Sequence, residues 1–481
     1  MKPFYIFNTL DRAVEEFQAL HAPEVTLYSC GPTVYLPQHL GNMRAYIFVD
    51  SFRRALAFNG YRVRHVMNVT DVGHMTGMTG DVDEGEDKIE KTARAEGKSP
   101  LEIANRYLEL FTHDCAQLNI VLPKTPYLCR ATDHIPDMIA LITRILEAGF
   151  AYVTRSGVYF DLEKYRGPNR VGRLSRQSLD EQDAAQRLEH SPEKRSPHDF
   201  VLWVLNQPGH LMQWESPWGR GYPGWNIECS AMSMKYLGET IDIHTGGIDH
   251  IPVHHENEIA QSESATHKPF VRYFVHHAFL VGKEGTKISK SAGKFPLLSD
   301  LVAAGIDPLA FRLFCLGAKY RSEIVFSDEA VRAAESNLNY FWEFARNVPA
   351  ESAADGIESP GWAAEYYERF HDAINNDLNT PQAIAVAREL IAEAYRRKDF
   401  GAWPTIRALD AVLGLDLEKH RESARAAEVP ADVQQLIDNR AAARKAKDFK
   451  LADQLRKELE ARGYEVKDNR DGTATCQPRR A

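Results

Sequence analysis

The 481-residue chain has no run of eighteen consecutive apolar residues, which excludes an ordinary membrane-spanning helix and makes a membrane partner unexpected. Met1–Leu10 lacks a basic flank and a continuous apolar run, so no secretory signal is expected there. Cysteine is scarce. The six residues Cys30, Cys115, Cys129, Cys229, Cys315 and Cys476 are scattered without a CxxC pair, which argues against a disulfide framework. Free, buried or metal-bound thiols in a reducing cytoplasm are the expectation. Excess positive charge is missing too: the net charge is −9, so there is no global basic field for indiscriminate nucleic-acid binding. A local basic patch remains compatible with that balance. What is present is ordinary for a globular protein, 44% hydrophobic and 26% charged, at a length that suggests about three domains.

Val25–Cys30 reads as a short buried strand, followed by the loop Gly31–His39. A helix opens near Gly41 and carries Arg44, Phe48, Phe52 and Leu56 at helical spacing; Gly60 ends it, and Tyr61–Thr70 returns as a strand. Strand, helix, strand predicts a βαβ unit with parallel strands and a right-handed crossover. Gly80–Lys98 reads as an acidic loop running into a helix. Its carboxylates Asp81, Asp83, Glu84, Glu86 and Asp87 form either a cation site or a solvated charge run. Helical patterns fill Leu101–Asn119 and Asp133–Gly149, a polar stretch covers Leu174–His198, and strand–helix alternation resumes from Val201 to Phe279. From Ser327 the pattern turns helical: Ser327 can cap a helix whose apolar stripe is Val331, Ala334, Leu338, Phe341 and Ala345. Glu418–Pro430 reads as a charged linker. From Asp438 onward there are twelve Lys/Arg against eight Asp/Glu, a local +4 beside −13 for the rest. Arg440, Arg444, Lys445, Lys447 and Lys450 make a solvated helix face or an RNA contact there.

Two short motifs carry phosphate chemistry. His39-Leu40-Gly41-Asn42 stands where the first strand's loop enters a helix. Backbone N–H groups and the helix dipole suit a polyphosphate there, Gly41 admits close approach, and His39 can donate to a phosphate oxygen. A capping histidine is the plainer alternative. Lys287-Ile288-Ser289-Lys290-Ser291 lies in the glycine-flanked stretch Gly282–Gly293, where two lysines suit a clamp on charge that builds in a transition state.

The pair of motifs, in that order, resembles the signature of class I aminoacyl-tRNA synthetases. Further segments, CGPTVY at Cys30–Tyr35, PGWNIECSAMSMKYLGE at Pro223–Glu239, HHENEIAQSE at His254–Glu263 and YRSEIVFSDEA at Tyr320–Ala330, make nearly the whole chain similar to the cysteinyl-tRNA synthetase family. The resemblance implies a Rossmann-like (HUP-type) α/β catalytic domain with a parallel sheet, an α-helical bundle and a small C-terminal anticodon-binding domain. Its expected divisions are residues 1–115 and 200–265 for the two catalytic halves, 116–199 for a connective insertion, 266–326 for the lysine-motif region, 327–420 for the bundle and 421–481 for the terminal domain. It also implies one zinc ion on Cys30, Cys229, His254 and Glu258, with Gly31, Thr33, Thr70 and Trp225 around the amino acid. His244 and the Gly246-Gly247-x-Asp249 turn fall on the adenosine side, with Asp249 as ribose ligand. His39, Gly41, Asn42, Lys287 and Lys290 then serve ATP and Mg²⁺, His39, Asn42 and the two lysines being catalytic.

The chemistry explains the metal. Serine differs from cysteine by one atom, and an apolar pocket separates such near-isosteres only weakly. Zinc prefers a soft thiolate, so the substrate sulfur as a further ligand supplies selectivity without an editing domain. The expected partners are L-cysteine, ATP and tRNA(Cys), and the expected state is a monomer. The sequence departs from the family pattern at Asn42, which replaces a common histidine and excludes acid catalysis there. It departs again at Thr245, before the glycine turn, and in the C-terminal GTATCQPRR. Competing readings are a ligase joining cysteine to an amino-sugar in mycothiol synthesis, a nucleotidylyltransferase, and a non-catalytic paralogue that binds RNA. The C-terminal residues 432–481 argue against the first, and KISKS with the zinc set against the second.

Overall fold

The computed structural model describes residues 2–72, 87–166, 172–176, 193–282, 296–353, 357–426, 431–446, 448–468 and 474–478. Lys287, Lys290 and the acidic residues Asp81–Glu86 lie outside them. An antiparallel hairpin, β1 (Tyr5–Asn8) and β2 (Ala13–Glu16), precedes the first βαβ unit. That unit is β3 (Glu24–Ser29), α1 (Leu40–Phe58) and β4 (Arg62–Val69), and its strands are parallel as the pattern predicts. Its helix is buried along one side by Met43, Ile47, Phe48, Phe52, Ala55 and Leu56. Next come α2 (Lys88–Glu96), α3 (Pro100–Gln117), β5 (Leu128–Arg130) and α4 (Ile135–Glu147). Ser99 and Glu102 close α3 with a reciprocal capping box, and Pro100 occupies its first turn.

Four short strands follow: β6 (Ala151–Val153), β7 (Gly157–Phe160), β8 (Phe200–Leu205) and β9 (Gly221–Pro223), with the one-turn α5 (Leu162–Tyr165) after β7. They pair antiparallel as a separate sheet. The alternation expected from Val201 therefore begins with an inner strand of a different sheet, and residue 199 does not end the insertion. The run Phe200–Leu205 misleads because a continuous apolar segment looks the same in either sheet type. The parallel sheet resumes with α6 (Trp225–Leu237), β10 (Ile241–Gly247), α7 (His254–Thr266) and β11 (Val271–His277), the last strand falling after the expected boundary at 265.

The five parallel strands run β11-β10-β3-β4-β5 across the sheet. In chain order that is the doubly wound arrangement, and its winding reverses between β3 and β10. Ligands of such sheets bind outside the carboxyl ends of the strands at this reversal. Cys30 follows β3 there, and Gly246-Gly247 ends β10.

The chain divides into two compact units, Met1–Leu338 with Glu358–Leu415, and Asn339–Ile357 with Asp416–Ala481. The helices Ala364–Asn375, Thr380–Arg397 and Trp403–Leu413 thus belong to the unit of the parallel sheet, so 327–420 is not a body of its own. Their attachment runs through Arg312. Its fully buried guanidinium donates to Asp50 of α1 at 2.8 Å, to the Leu413 carbonyl at 2.7 Å and to the Leu118 carbonyl at 3.0 Å. Burial disfavours the Asp50 charge, but Arg312, Arg54 and Arg53 overcome that and hold its pKa at about 2. Ser327 caps Asp328–Arg346 by accepting from Ala330 N–H at 3.1 Å, and all five predicted stripe residues are buried.

In the second unit, Leu417–Ala426 is a helix, which corrects the linker reading of Glu418–Pro430 over its first part. Leu417 and Arg421, one turn apart, are buried, and His420 stacks on Trp342 with ring centroids 3.8 Å apart. A buried face of one leucine and one arginine leaves no apolar stripe to read. Helices Ala431–Lys445 and Phe449–Ala461 and the antiparallel strands Tyr464–Asp468 and Ala474–Pro478 complete the unit around Val433, Leu459 and Val466.

Candidate metal and adenylate site

At the reversal point, Cys30 (end of β3), Cys229 (α6), His254 and Glu258 (one turn apart on α7) place one ligand atom each within 4.8 Å of all the others. The four residues expected as zinc ligands are brought together. Cys229, His254 and Glu258 are at most 2% exposed. His254 Nδ1–H donates to Asn226 Oδ1 at 2.7 Å, which sets Nε2 facing Glu258 Oε1, 3.0 Å away. That carboxylate oxygen is buried and accepts no hydrogen bond. A buried carboxylate oxygen with no hydrogen bond, beside an imidazole nitrogen and two sulfurs, offers ligand atoms to a cation. The sulfurs add to this. A hydrogen bond from Cys229 lowers the Cys30 pKa well below its usual value, while Cys229 is raised well above, first by that same hydrogen bond and then by burial. Two sulfurs, an imidazole nitrogen and a carboxylate oxygen at these separations fit tetrahedral zinc.

The site has a wider shell than the sequence indicated. His244, expected on the adenosine side, is fully buried, and its Nε2 lies 2.9 Å from Glu258 Oε2. It braces the carboxylate from within β10, every residue of which is buried. His255 Nε2 approaches Cys30 Sγ at 3.6 Å, and its Nδ1 lies 2.8 Å from His276 Nε2. Cys30, His244, His255 and Glu258 form a second, overlapping ligand-like set. Asn226 and His276 were missed. The doubled histidine in VHHENE was the one available signal for the second imidazole at the sulfur.

The expected amino-acid pocket adjoins these groups. Trp225 stacks on His254, with ring centroids 4.2 Å apart at 22°. The Gly31 N–H donates to Asn68 Oδ1 at 2.8 Å, and a Cβ at Gly31 would come within 1.7 Å of the Asn68 carbonyl oxygen, so only glycine fits. Thr33 and Thr70 pair as a bridge, and Thr70 Oγ1 donates to the buried Glu228 Oε2 at 3.0 Å. Burial raises Glu228 well above the ordinary carboxyl range. These bonds fasten the loop after β3 to the end of β4.

His39 N-caps α1, its Nδ1 accepting from Asn42 N–H at 3.2 Å, so the neutral ring carries its proton on Nε2. The capping and phosphate-donor readings are therefore compatible. Leu40 N–H is spent on the Pro296 carbonyl at 3.0 Å and Asn42 N–H on His39, so the helix end offers fewer backbone donors than its sequence suggests. The Asn42 side chain donates to Gln38 Oε1 at 2.7 Å. His39 bridges to Leu297, just past the KISKS segment, and Arg44 donates to the Phe279 and Ser322 carbonyls near its other side. Arg44 had been read only as stem packing. Asp249 lies exposed on the turn after β10, with Oδ1 2.3 Å from where a Cβ on Gly247 would stand. Asp87 N-caps α2, its Oδ1 accepting from the Ile89 and Glu90 N–H groups.

Residues 16–336 match the profile of the tRNA synthetases class I (C) catalytic domain, 369–418 a DALR domain and 426–474 the cysteinyl-tRNA ligase anticodon binding domain. The cysteine–tRNA ligase 1 of Burkholderia lata is 43% identical over 98% of this chain and 96% of its own length. The enzyme of that name from Treponema denticola is 42% identical over 96% and 97%. In fold, Mycobacterium tuberculosis methionyl-tRNA synthetase bound by methionyl-adenylate superposes with a TM-score of 0.56 at 16% identity, covering 84% of this chain and 93% of that one. With catalytic and anticodon-binding profiles matched in order and full-length relatives above 40% identity, the chain belongs to the cysteine–tRNA ligase family of class I aminoacyl-tRNA synthetases.

Proposed function

We propose that this enzyme activates L-cysteine with ATP, releasing pyrophosphate, and transfers the cysteinyl group to the terminal adenosine of tRNA(Cys), acting as a cytoplasmic monomer. The observation that carries the amino-acid assignment is the buried pair of sulfurs with His254 and Glu258, whose Oε1 has no hydrogen-bond donor. Cys30, Cys229, His254 and Glu258 would hold zinc, which when bound supplies a soft Lewis acid that favours a substrate thiolate over a serine hydroxyl. Gly31, Thr33, Thr70 and Trp225 shape the space beside it for the amino and carboxyl groups of cysteine. The substrate carboxylate attacks the α-phosphorus of ATP as the bond to pyrophosphate breaks. His39 donates its Nε2 proton to the phosphates from the head of α1, and Gly41 allows their approach. Asn42, steadied by Gln38, contributes a hydrogen bond but no proton. Lys287 and Lys290, with Mg²⁺, are assigned to the departing pyrophosphate, and Asp249 to the ribose. In the second step a terminal hydroxyl of tRNA attacks the adenylate carbonyl and AMP leaves.

The test is cysteine- and serine-dependent pyrophosphate exchange by Cys229→Ser alongside zinc analysis. Zinc content and preference for cysteine should fall together, with discrimination reduced by about a hundredfold or more. Full zinc retention with unchanged discrimination would refute the assignment.

A further inference from the structure

A cavity of about 400 Å³ opens at the other end of the parallel sheet, beside the first residues of β3 and β4. Its lining includes Arg53, Arg62, Arg64 and Lys124 against the single carboxylate of Glu24. This local excess of three positive charges stands on a chain whose net charge is −9. Glu24 does not neutralise it: its oxygens reach Arg62 and Arg64 only at 3.5 Å, and those arginine side chains are 72% and 48% exposed. Exposed pairs of this length contribute little.

The floor of the cavity distinguishes it from a merely basic surface. His65 is 8% exposed, and its Nδ1 is buried without a hydrogen-bond partner. Its Nε2 is occupied by Ser29 Oγ at 2.8 Å. When the serine hydroxyl donates to Nε2, the neutral ring carries its proton on Nδ1, which has no acceptor within the chain. Arg53 is similar: its Nη2 is held by Asp50 Oδ1 at 3.2 Å, yet its buried Nε has no acceptor. Leaving such groups unmet costs free energy, and an anion beside them offers the acceptors that the chain does not.

We infer that this cavity binds the phosphate group of a small molecule, with Arg53 and His65 at its floor and Arg62, Arg64 and Lys124 around its mouth. The site is separate from the substrate cleft. Arg62 opens β4 and Thr70 follows its end, and at the usual rise per residue the two lie about 25 Å apart. A concave site with buried donors suits a compact anion better than the continuous backbone of an RNA, and its size is within the range of small-ligand pockets.

The experiment is calorimetric titration of the zinc-loaded full chain with inorganic phosphate and, separately, with ribose 5-phosphate. The double variant Arg62→Gln/Arg64→Gln and the single variant Lys290→Ala are titrated in parallel. The proposal predicts one saturable site per chain, about tenfold weaker in the double variant and unchanged in Lys290→Ala. Tighter binding of ribose 5-phosphate assigns a phosphate ester, and equal binding assigns the free anion. Both exposed arginines can be replaced without touching the core, and pyrophosphate exchange in phosphate-free buffer should match that of the parent. Absence of saturable binding, or binding that follows Lys290 and ignores the arginines, would overturn the inference. So would a double variant whose only defect is a raised KM for tRNA, which would make the groove an RNA contact.

Discussion

Around Asp50 and around Glu258 the protein buries a carboxylate among nitrogen-bearing side chains, and it treats the two differently. Asp50 Oδ1 accepts from Arg53 and the Val121 N–H, and Oδ2 from Arg54 and Arg312. Arg312 in turn satisfies carbonyls from two further segments. Glu258 Oε1 faces the His254 Nε2 and two sulfurs and accepts no hydrogen bond. The Asp50 carboxylate is fully paired within the chain, both oxygens accepting twice, and it joins α1 to the helices that follow. The Glu258 cluster is incomplete without a cation. Full pairing marks architecture here, and a buried deficit marks chemistry.

That contrast can be broken from either side. The largest effect is expected at the complete cluster. Arg312→Met should destabilise the first unit by about 3–5 kcal/mol in denaturant unfolding, because it strands Asp50 and several carbonyls. Its zinc content should nevertheless stay at the parental level when assayed under folding conditions. At the incomplete cluster, Asn226→Ala frees His254 to reorient and should weaken zinc affinity by about 10–100-fold in a chelator competition, with little change in stability of the rest. The smallest effect is the pH response of Asp50. Its folded pKa of about 2 lies below the ordinary 3.8, so its contribution is present above about pH 4 and lost as pH falls toward 2. The shift corresponds to about 2 kcal/mol, and Asp50→Asn should remove that segment of the acid-unfolding profile.

The same contrast explains what was legible in the sequence. The βαβ unit and the stripe from Val331 to Ala345 could be read directly, since periodic burial leaves a periodic pattern. Cys30, Cys229, His254 and Glu258 could not be joined by spacing, because two crossover connections separate the two cysteines; likeness to a family supplied them. Arg312 and Arg44 were invisible, as nothing local distinguishes an arginine that will be buried by distant carbonyls. The His244 contact with Glu258 was hidden, because both faces of β10 are buried and nothing local marks which neighbour a strand histidine meets. The antiparallel sheet and the helix at Leu417 were hidden by ambiguity of apolar runs and by the lack of an apolar stripe.

Zinc-edge X-ray absorption on the full chain, with and without L-cysteine, tests the central claim most directly. Two sulfur neighbours from Cys30 and Cys229 are predicted in the free enzyme, rising to three with cysteine and remaining two with serine. A sulfur count that does not change when cysteine binds would contradict the account.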